Sequence, residues 1–228
     1  MKKVIIILGC ILILLIGGFS ITKLLDNDNY QPTKDEIKFK TEYESMNNKK
    51  WEFEGYKGNY LKINIPDNNL VKYATDKNIL DLVTNGTHVI YFGNAGCNWC
   101  RSAVSVLIDA AKSEELEEIY YYDFFTLRDA YEEGSNKELV SLYESLMNEM
   151  GDFIDKTFDD ESRVAVKKRL SAPTVVIVSS GKVVDLHYKT VDSHIDYNKD
   201  LNDKEKKELK DKYLDMFKKL IYACDGGC

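Results

Sequence analysis

The chain has 228 residues, 44% of them apolar, which is enough for one well-buried core or a core with a small appendage. Its formal charge of -7, from 31 basic and 38 acidic residues, is spread along the sequence without the clustered Lys/Arg face that a phosphate backbone requires, so nucleic acid is excluded as a partner. The three histidines, His88, His187 and His194, lie far apart and are expected to be ordinary polar residues, which leaves a histidine-based metal site little to start from.

Lys2 and Lys3 precede an apolar run from Val4 to Thr22 closed by Lys23, about the length that crosses a hydrocarbon core, with the leading positive charges keeping the N-terminus inside. A cleaved signal peptide has a shorter apolar stretch and a small-residue exit. Here the run continues through Gly17, Gly18 and Phe19, so residues 1–23 read as an uncleaved signal-anchor. The alternative is a lipoprotein anchored through Cys10, since Ile7-Leu8-Gly9-Cys10 resembles a lipoprotein processing site, although that cysteine comes too early to leave an apolar core before it. Either anchor puts the rest of a single-pass cell-membrane protein outside the cytoplasm.

Residues 24–50 are polar and read as a linker, and residues 51–223 as the folded domain. Tyr60-Leu61-Lys62-Ile63-Asn64-Ile65 alternates as a half-buried strand and ends at Pro66. A short helix from about Asp76 to Val83 stops at Asn85-Gly86. His88 to Phe92 has the continuous apolar pattern of a strand buried on both faces, and Gly93-Asn94-Ala95-Gly96 is the turn after it. Ala103, Val104, Leu107, Ala110 and Ala111 recur at helical spacing, predicting a helix over Cys97 to Lys112 with Cys97 in its first turn.

Ile119 to Tyr122 is the next strand. Residues 124–171 are largely helical, with Leu139, Leu142, Tyr143, Leu146, Met147 and Met150 on one apolar face. Val175 to Val178 and Val183 to His187, joined through Ser179-Ser180-Gly181-Lys182, read as a β-hairpin. A last helix, capped at Asn202 or Asp203, places Leu209, Tyr213, Phe217 and Leu220 on one face. Residues 224–228 form a Cys-Asp-Gly-Gly-Cys tail, and no internal repeat is present.

The chemistry lies in Cys97-Asn98-Trp99-Cys100. A thiolate is a far better nucleophile than a thiol, and the unpaired N–H groups at a helix N-terminus stabilise one, lowering a cysteine pKa from ~8.5 to about 3.5–7.5. Cys97 is therefore the expected attacking sulfur, and Cys100, one turn away, the resolving thiol. Arg101 is expected to be solvated, with a favourable charge on the thiolate if it turns inward. A zinc site uses the same spacing and needs a second pair, which Cys224 and Cys228 could supply. The strand-to-helix setting of the first pair and an oxidising compartment argue against it.

Tyr91-Phe92-Gly93-Asn94-Ala95-Gly96-Cys97-Asn98-Trp99-Cys100-Arg101, together with Ala172-Pro173-Thr174, resembles the active-site region of the thioredoxin superfamily. Gly-Cys-x-Trp-Cys-Arg, Tyr-Tyr-Tyr-Asp, Thr190-Val191-Asp192-Ser193 and the terminal pair are similar to those of secreted or membrane-anchored thioredoxin-like proteins of Gram-positive bacteria, some named bacteriocin transport accessory or maturation proteins. The resemblance implies an α/β thioredoxin-like fold, a central mixed sheet flanked by helices, with a helical insertion before a strand opened by cis-Pro173.

It also implies an extracytoplasmic thiol–disulfide oxidoreductase whose substrate peptide meets Trp99, Ala172, Pro173 and Thr174. No cofactor is implied. The partners would be cysteine-containing secreted proteins or peptides and a redox donor or acceptor, free or membrane-bound. The chain departs from thioredoxins in carrying Tyr91 where they have a buried carboxylate, and Asn98-Trp99 in place of Gly-Pro. Cys224 and Cys228 are either a structural disulfide or a second redox pair. The competing function is a non-catalytic accessory module in which Trp99, Tyr91 and the Pro173 strand form a docking groove.

Overall fold

The computed structural model describes residues 30–53, 55–154 and 169–224, with side chains as far as Leu220. The chain divides into Met1–Thr33 and Lys34–Cys228. The expected signal-anchor, Cys10, Cys228 and the Cys224 side chain lie outside the described residues. Among the described residues no helix is long and apolar enough to cross a membrane.

The second unit opens with α1 (Lys34–Glu44), where the sequence reading places linker. Too few apolar residues recur there to mark a helix by pattern. Phe39 and Tyr43 suffice to dock it, because both are fully buried and Phe39 lies edge-on to Tyr121 at 4.9 Å. A two-stranded ribbon follows, β1 (Lys50–Phe53) against β2 (Tyr56–Asn59).

The expected strand at residues 60–65 forms no ladder, although its alternation is real, with Ile63 and Ile65 buried. Side chains serve its backbone instead. Leu61 N–H donates to Asn98 Oδ1 (2.9 Å), Ile63 N–H to Asn47 Oδ1 (2.9 Å) and Ile65 N–H to Glu44 Oε1 (2.8 Å). The carbonyls of the same residues accept from Arg101 Nε (2.6 Å), Asn47 Nδ2 (2.8 Å) and Lys40 Nζ (2.9 Å). Buried backbone groups need partners of some kind, and periodicity cannot tell a neighbouring strand from a set of side chains.

The main sheet has the order β3-β5-β4-β6-β7. Its strands are β3 (Val71–Tyr73), β4 (His88–Gly93), β5 (Ile119–Asp123), β6 (Thr174–Ser179) and β7 (Lys182–Tyr188). β3 and β4 run parallel to β5, while β6 is antiparallel to both β4 and β7. The apolar runs of β4 and β6 alternate between two cores. Val89, Tyr91, Val175 and Ile177 face α1, α3 (Asn98–Ser113) and α6 (Asp203–Cys224), whereas Ile90, Phe92, Val176 and Val178 face α2 (Ile79–Thr84), α4 (Phe125–Glu133) and α5 (Lys137–Met150). This mixed sheet with helices on both faces fits the thioredoxin-like fold.

Two element ends follow from local chemistry. α2 begins at Ile79 and not at Asp76, because Asn78 Oδ1 accepts from Thr75 N–H (2.7 Å) and holds the preceding residues in a turn. At the start of α6, Asn202 Oδ1 accepts from Glu205 N–H (3.1 Å) and Glu205 Oε2 accepts from Asn202 N–H (2.9 Å), a reciprocal cap. Residues 155–168 of the expected helical insertion lie outside the described residues.

Candidate active site

The register of the sheet builds the site. Phe92, near the end of β4, lies opposite Thr174 at the start of β6, so the turn after β4 and the chain entering β6 meet at one edge of the sheet. Asn94 ties the turn: its Oδ1 accepts from Gly96 N–H (2.7 Å), its carbonyl from Cys97 N–H (3.2 Å), and its Nδ2 donates to Asp123 Oδ2 (2.7 Å).

Cys97 is the N-cap of α3 and not a residue of its first turn, with extended φ -105° and ψ 116°. Its Sγ stands where a capping oxygen would, accepting the Cys100 N–H at 3.3 Å. Hydrogen bonding from the Cys100 thiol, helped by the N–H groups of Cys100 and Trp99 and by the charge of Arg128, lowers the Cys97 pKa against its own burial. Cys100 moves the other way. It is fully buried, and burial, with Cys97 beside it, pushes its thiol well above the usual range. The site therefore holds one sulfur poised to ionise, 8% exposed, and one held protonated beneath it.

The Ala172–Pro173 bond is cis, as the resemblance implies, and the Ala172 carbonyl lies 4.0 Å from Cys97 Sγ. Thr174 is buried, and its hydroxyl donates to Ser171 O (2.7 Å), so the side chain shapes the bend and does not face outward. Trp99, Ala172, Val191 and His194 line part of a groove of about 490 Å³ alongside the thiols, with Arg128 on its wall over the Phe125 ring at 4.3 Å.

The expectation of a solvated Arg101 is overturned. Arg101 is 2% exposed, and besides Leu61 O its guanidinium donates to Tyr43 O (2.7 Å), Ala95 O (3.1 Å) and Asn47 Oδ1 (2.5 Å). Four acceptors around one head group suit the several fixed N–H donors of a guanidinium.

His194, expected to be ordinary, belongs to the site. Its ring stands edge-on to Trp99 at 4.8 Å, Nε2 donates to Lys199 O (2.7 Å), and Nδ1 then accepts from Thr190 Oγ1 (2.9 Å). Tyr197, its phenol pushed up to about 12 by burial, lies edge-on to Trp99 at 5.5 Å and accepts the Asn98 N–H at 3.1 Å. Nothing local in the sequence pairs a residue near position 195 with one at 99. Tyr91, in the place of the carboxylate, is wholly buried, its hydroxyl 3.0 Å from that of Tyr43 and 3.4 Å from Cys100 O.

Among the described residues no three His, Cys, Asp or Glu side chains come together as a metal site. The expected second pair, Cys224 and Cys228, lies beyond the described side chains. No family model matches the chain, and no curated protein matches it. Among solved structures it is similar to a thioredoxin from Aeropyrum pernix, at 18% identity over 53% of this chain and 76% of that one, with a TM-score of 0.31. The fold stands on its strand order and connections.

Proposed function

We propose that this protein is a thiol–disulfide oxidoreductase held at the outer face of the cell membrane by its N-terminal apolar run, acting on cysteine-containing secreted proteins or peptides, bacteriocins among them. The observation that carries the reading is the opposite pull on two neighbouring sulfurs: Cys97 caps a helix and is lowered, while Cys100 is buried and raised. A static structural disulfide has no use for that asymmetry.

In the reducing direction the Cys97 thiolate attacks a substrate disulfide, forming a Cys97–substrate bond and releasing the first substrate sulfur as a thiolate. Cys100 then gives up its proton and attacks Cys97 Sγ. The Cys97–Cys100 disulfide forms, the second substrate sulfur departs, and the two substrate thiolates take up the two protons. Oxidation of a substrate dithiol is the same sequence reversed. The groove beside Ala172 is the seat for the substrate chain, whose backbone would pair with the strand opened by Pro173. A separate redox donor or acceptor, free or in the membrane, resets the pair.

The test is insulin reduction by the purified full chain with dithiothreitol, beside a Cys97→Ala protein. Turnover that needs Cys97 supports the reading. Equal rates for the two proteins sink it and leave the accessory-module alternative.

A further inference from the structure

The resolving step raises a problem of proton and charge that the thiols alone do not solve. Cys100 is fully buried, and neither a carboxylate nor a histidine is prominent among the groups acting on its sulfur; those are Cys97, the Asn94 backbone and the Tyr91 hydroxyl. Yet a negative sulfur has to form there before it can attack. A thiolate made in an apolar interior without a donor is costly, and one well-placed hydrogen bond to a charged group offsets much of that cost.

Tyr91 and Tyr43 are equipped for this. Both are wholly buried, from β4 and α1, and their hydroxyls meet at 3.0 Å. Tyr91 donates to the Cys100 carbonyl at 3.4 Å, a long bond, and the same hydroxyl is within hydrogen-bonding reach of the Cys100 sulfur, so its hydrogen can turn from one to the other. With its hydrogen aimed at Cys100, the Tyr91 oxygen is left to accept from Tyr43, which aligns the pair as a relay of two dipoles pointing at the resolving cysteine. Burial drives both phenols well above their ordinary range, so both stay protonated and no phenolate is present to take the Cys100 proton. The pair can only donate.

We propose that the Tyr43–Tyr91 hydroxyl pair stabilises the Cys100 thiolate as it attacks the mixed disulfide, Tyr91 donating to the sulfur and Tyr43 acting as the positioning residue behind it. The Cys100 proton passes to the first substrate thiolate, the one released when Cys97 attacks, and the tyrosines keep theirs. This rests on the oxidoreductase reading above and adds to it the group that serves the second step. In a thioredoxin a carboxylate stands at the position of Tyr91 and can accept a proton; a neutral donor cannot, so resolution here depends on the basicity of the leaving thiolate.

The experiment separates the two steps. The full chain, with Cys10, Cys224 and Cys228 changed to Ser, is reduced and mixed with dithionitrobenzoate in stopped flow. Attack by Cys97 releases one thionitrobenzoate, and attack by Cys100 on the mixed disulfide releases a second. Tyr91→Phe should leave the first phase within about twofold and slow the second by at least about tenfold, with its pH midpoint displaced upward. Tyr43→Phe, which keeps the donor and removes its support, should show a smaller slowing of the same phase and serves as the probe if Tyr91→Phe does not fold. Because a basic leaving group is the proton acceptor, replacing the aromatic disulfide by glutathione disulfide should narrow the gap between wild type and Tyr91→Phe.

A second phase unchanged in both variants, or one slowed only in proportion to the first, overturns the role of the tyrosines. A wild-type protein that releases one thionitrobenzoate and never the second overturns the oxidoreductase reading itself.

Discussion

Arg101 Nε donates to the carbonyl of Leu61 at 2.6 Å, so the residue directly after Cys100 holds a segment of chain forty positions earlier. The same guanidinium reaches Tyr43 O and Ala95 O, which places a single side chain at the junction of α1, the extended segment and the turn before Cys97. Arg101→Met keeps most of the volume and orphans these acceptors. Urea unfolding should show a loss of about 2–4 kcal/mol, and the Leu61 and Ile63 amides should exchange faster with solvent water in the variant. A variant as stable as wild type would show that water replaces the guanidinium without cost.

Cys97 and Cys100 should differ in alkylation. Because the Cys97 pKa is lowered, its reaction with iodoacetamide should rise with pH through a midpoint below the ~8.5 of a free cysteine. Cys100 is raised and buried, so it should stay unlabelled in the native protein through neutral pH. Mass spectrometry of the labelled peptides checks both, and equal labelling of the two thiols at pH 7 would contradict the asymmetry on which the proposed function stands.

Trp99 packs edge-on against His194 and Tyr197 and forms one wall of the groove. Trp99→Ala should leave the reaction of Cys97 with a small alkylating agent within about threefold. It should lower kcat/KM for insulin by about two- to tenfold, the range set by the loss of one aromatic contact with the bound chain.

Part of this was legible in the sequence. The β4 and β6 runs, the β6–β7 hairpin, the Cys97 helix and the capped C-terminal helix were readable because each buries residues at a period set by its own backbone. Phe39 and Tyr43 were not, since two aromatics on an otherwise polar helix gain meaning only when Tyr121 and Tyr91 close over them. Arg101 misled for a related reason. An arginine beside a cysteine pair is usually wet, and the carbonyls of Tyr43, Leu61 and Ala95 converge on it only after three separate segments have folded. At the site, the two cysteines and Pro173 could be read from local motif, whereas His194 and Tyr197 could not.

His187 gives a pH dependence with a definite sign. Its Nε2 donates to Thr190 O at 2.8 Å, and burial, with the positive charges of Lys212 and Lys189 outweighing nearby Asp185, lowers its pKa; Tyr213 packs on the ring without charge. A base whose folded pKa lies below its unfolded value contributes stability that is complete above the unfolded value, near 6.5, and is lost as pH falls from there towards the folded one. Thermal unfolding of wild type should weaken over that interval more steeply than that of His187→Gln. Parallel curves for the two proteins would assign the acid sensitivity to other groups.

At the β6–β7 turn Gly181 has φ +73°, and an added Cβ would lie 2.6 Å from the Thr84 carbonyl carried by α2. Gly181→Ala should cost about 1–3 kcal/mol in unfolding free energy with the redox kinetics unchanged, because the turn is at the far end of β6 from Thr174. A variant within 0.5 kcal/mol of wild type, on the order of an ordinary surface change, would show that α2 yields at this point.

The outer edge of β3 has its own guard. Asp35 Oδ2 takes the Tyr73 N–H at 2.9 Å and Glu36 Oε1 takes the N–H of Leu70, just before the strand, at 3.0 Å, so the first turn of α1 occupies an amide of β3 that would otherwise be open to a foreign strand and ties down the entry to it. Two acidic side chains thereby stopper the sheet against growing from one molecule into the next. An edge plugged in this way offers an incoming strand no row of free amides, and so resists recruitment into the aggregates of neighbouring chains.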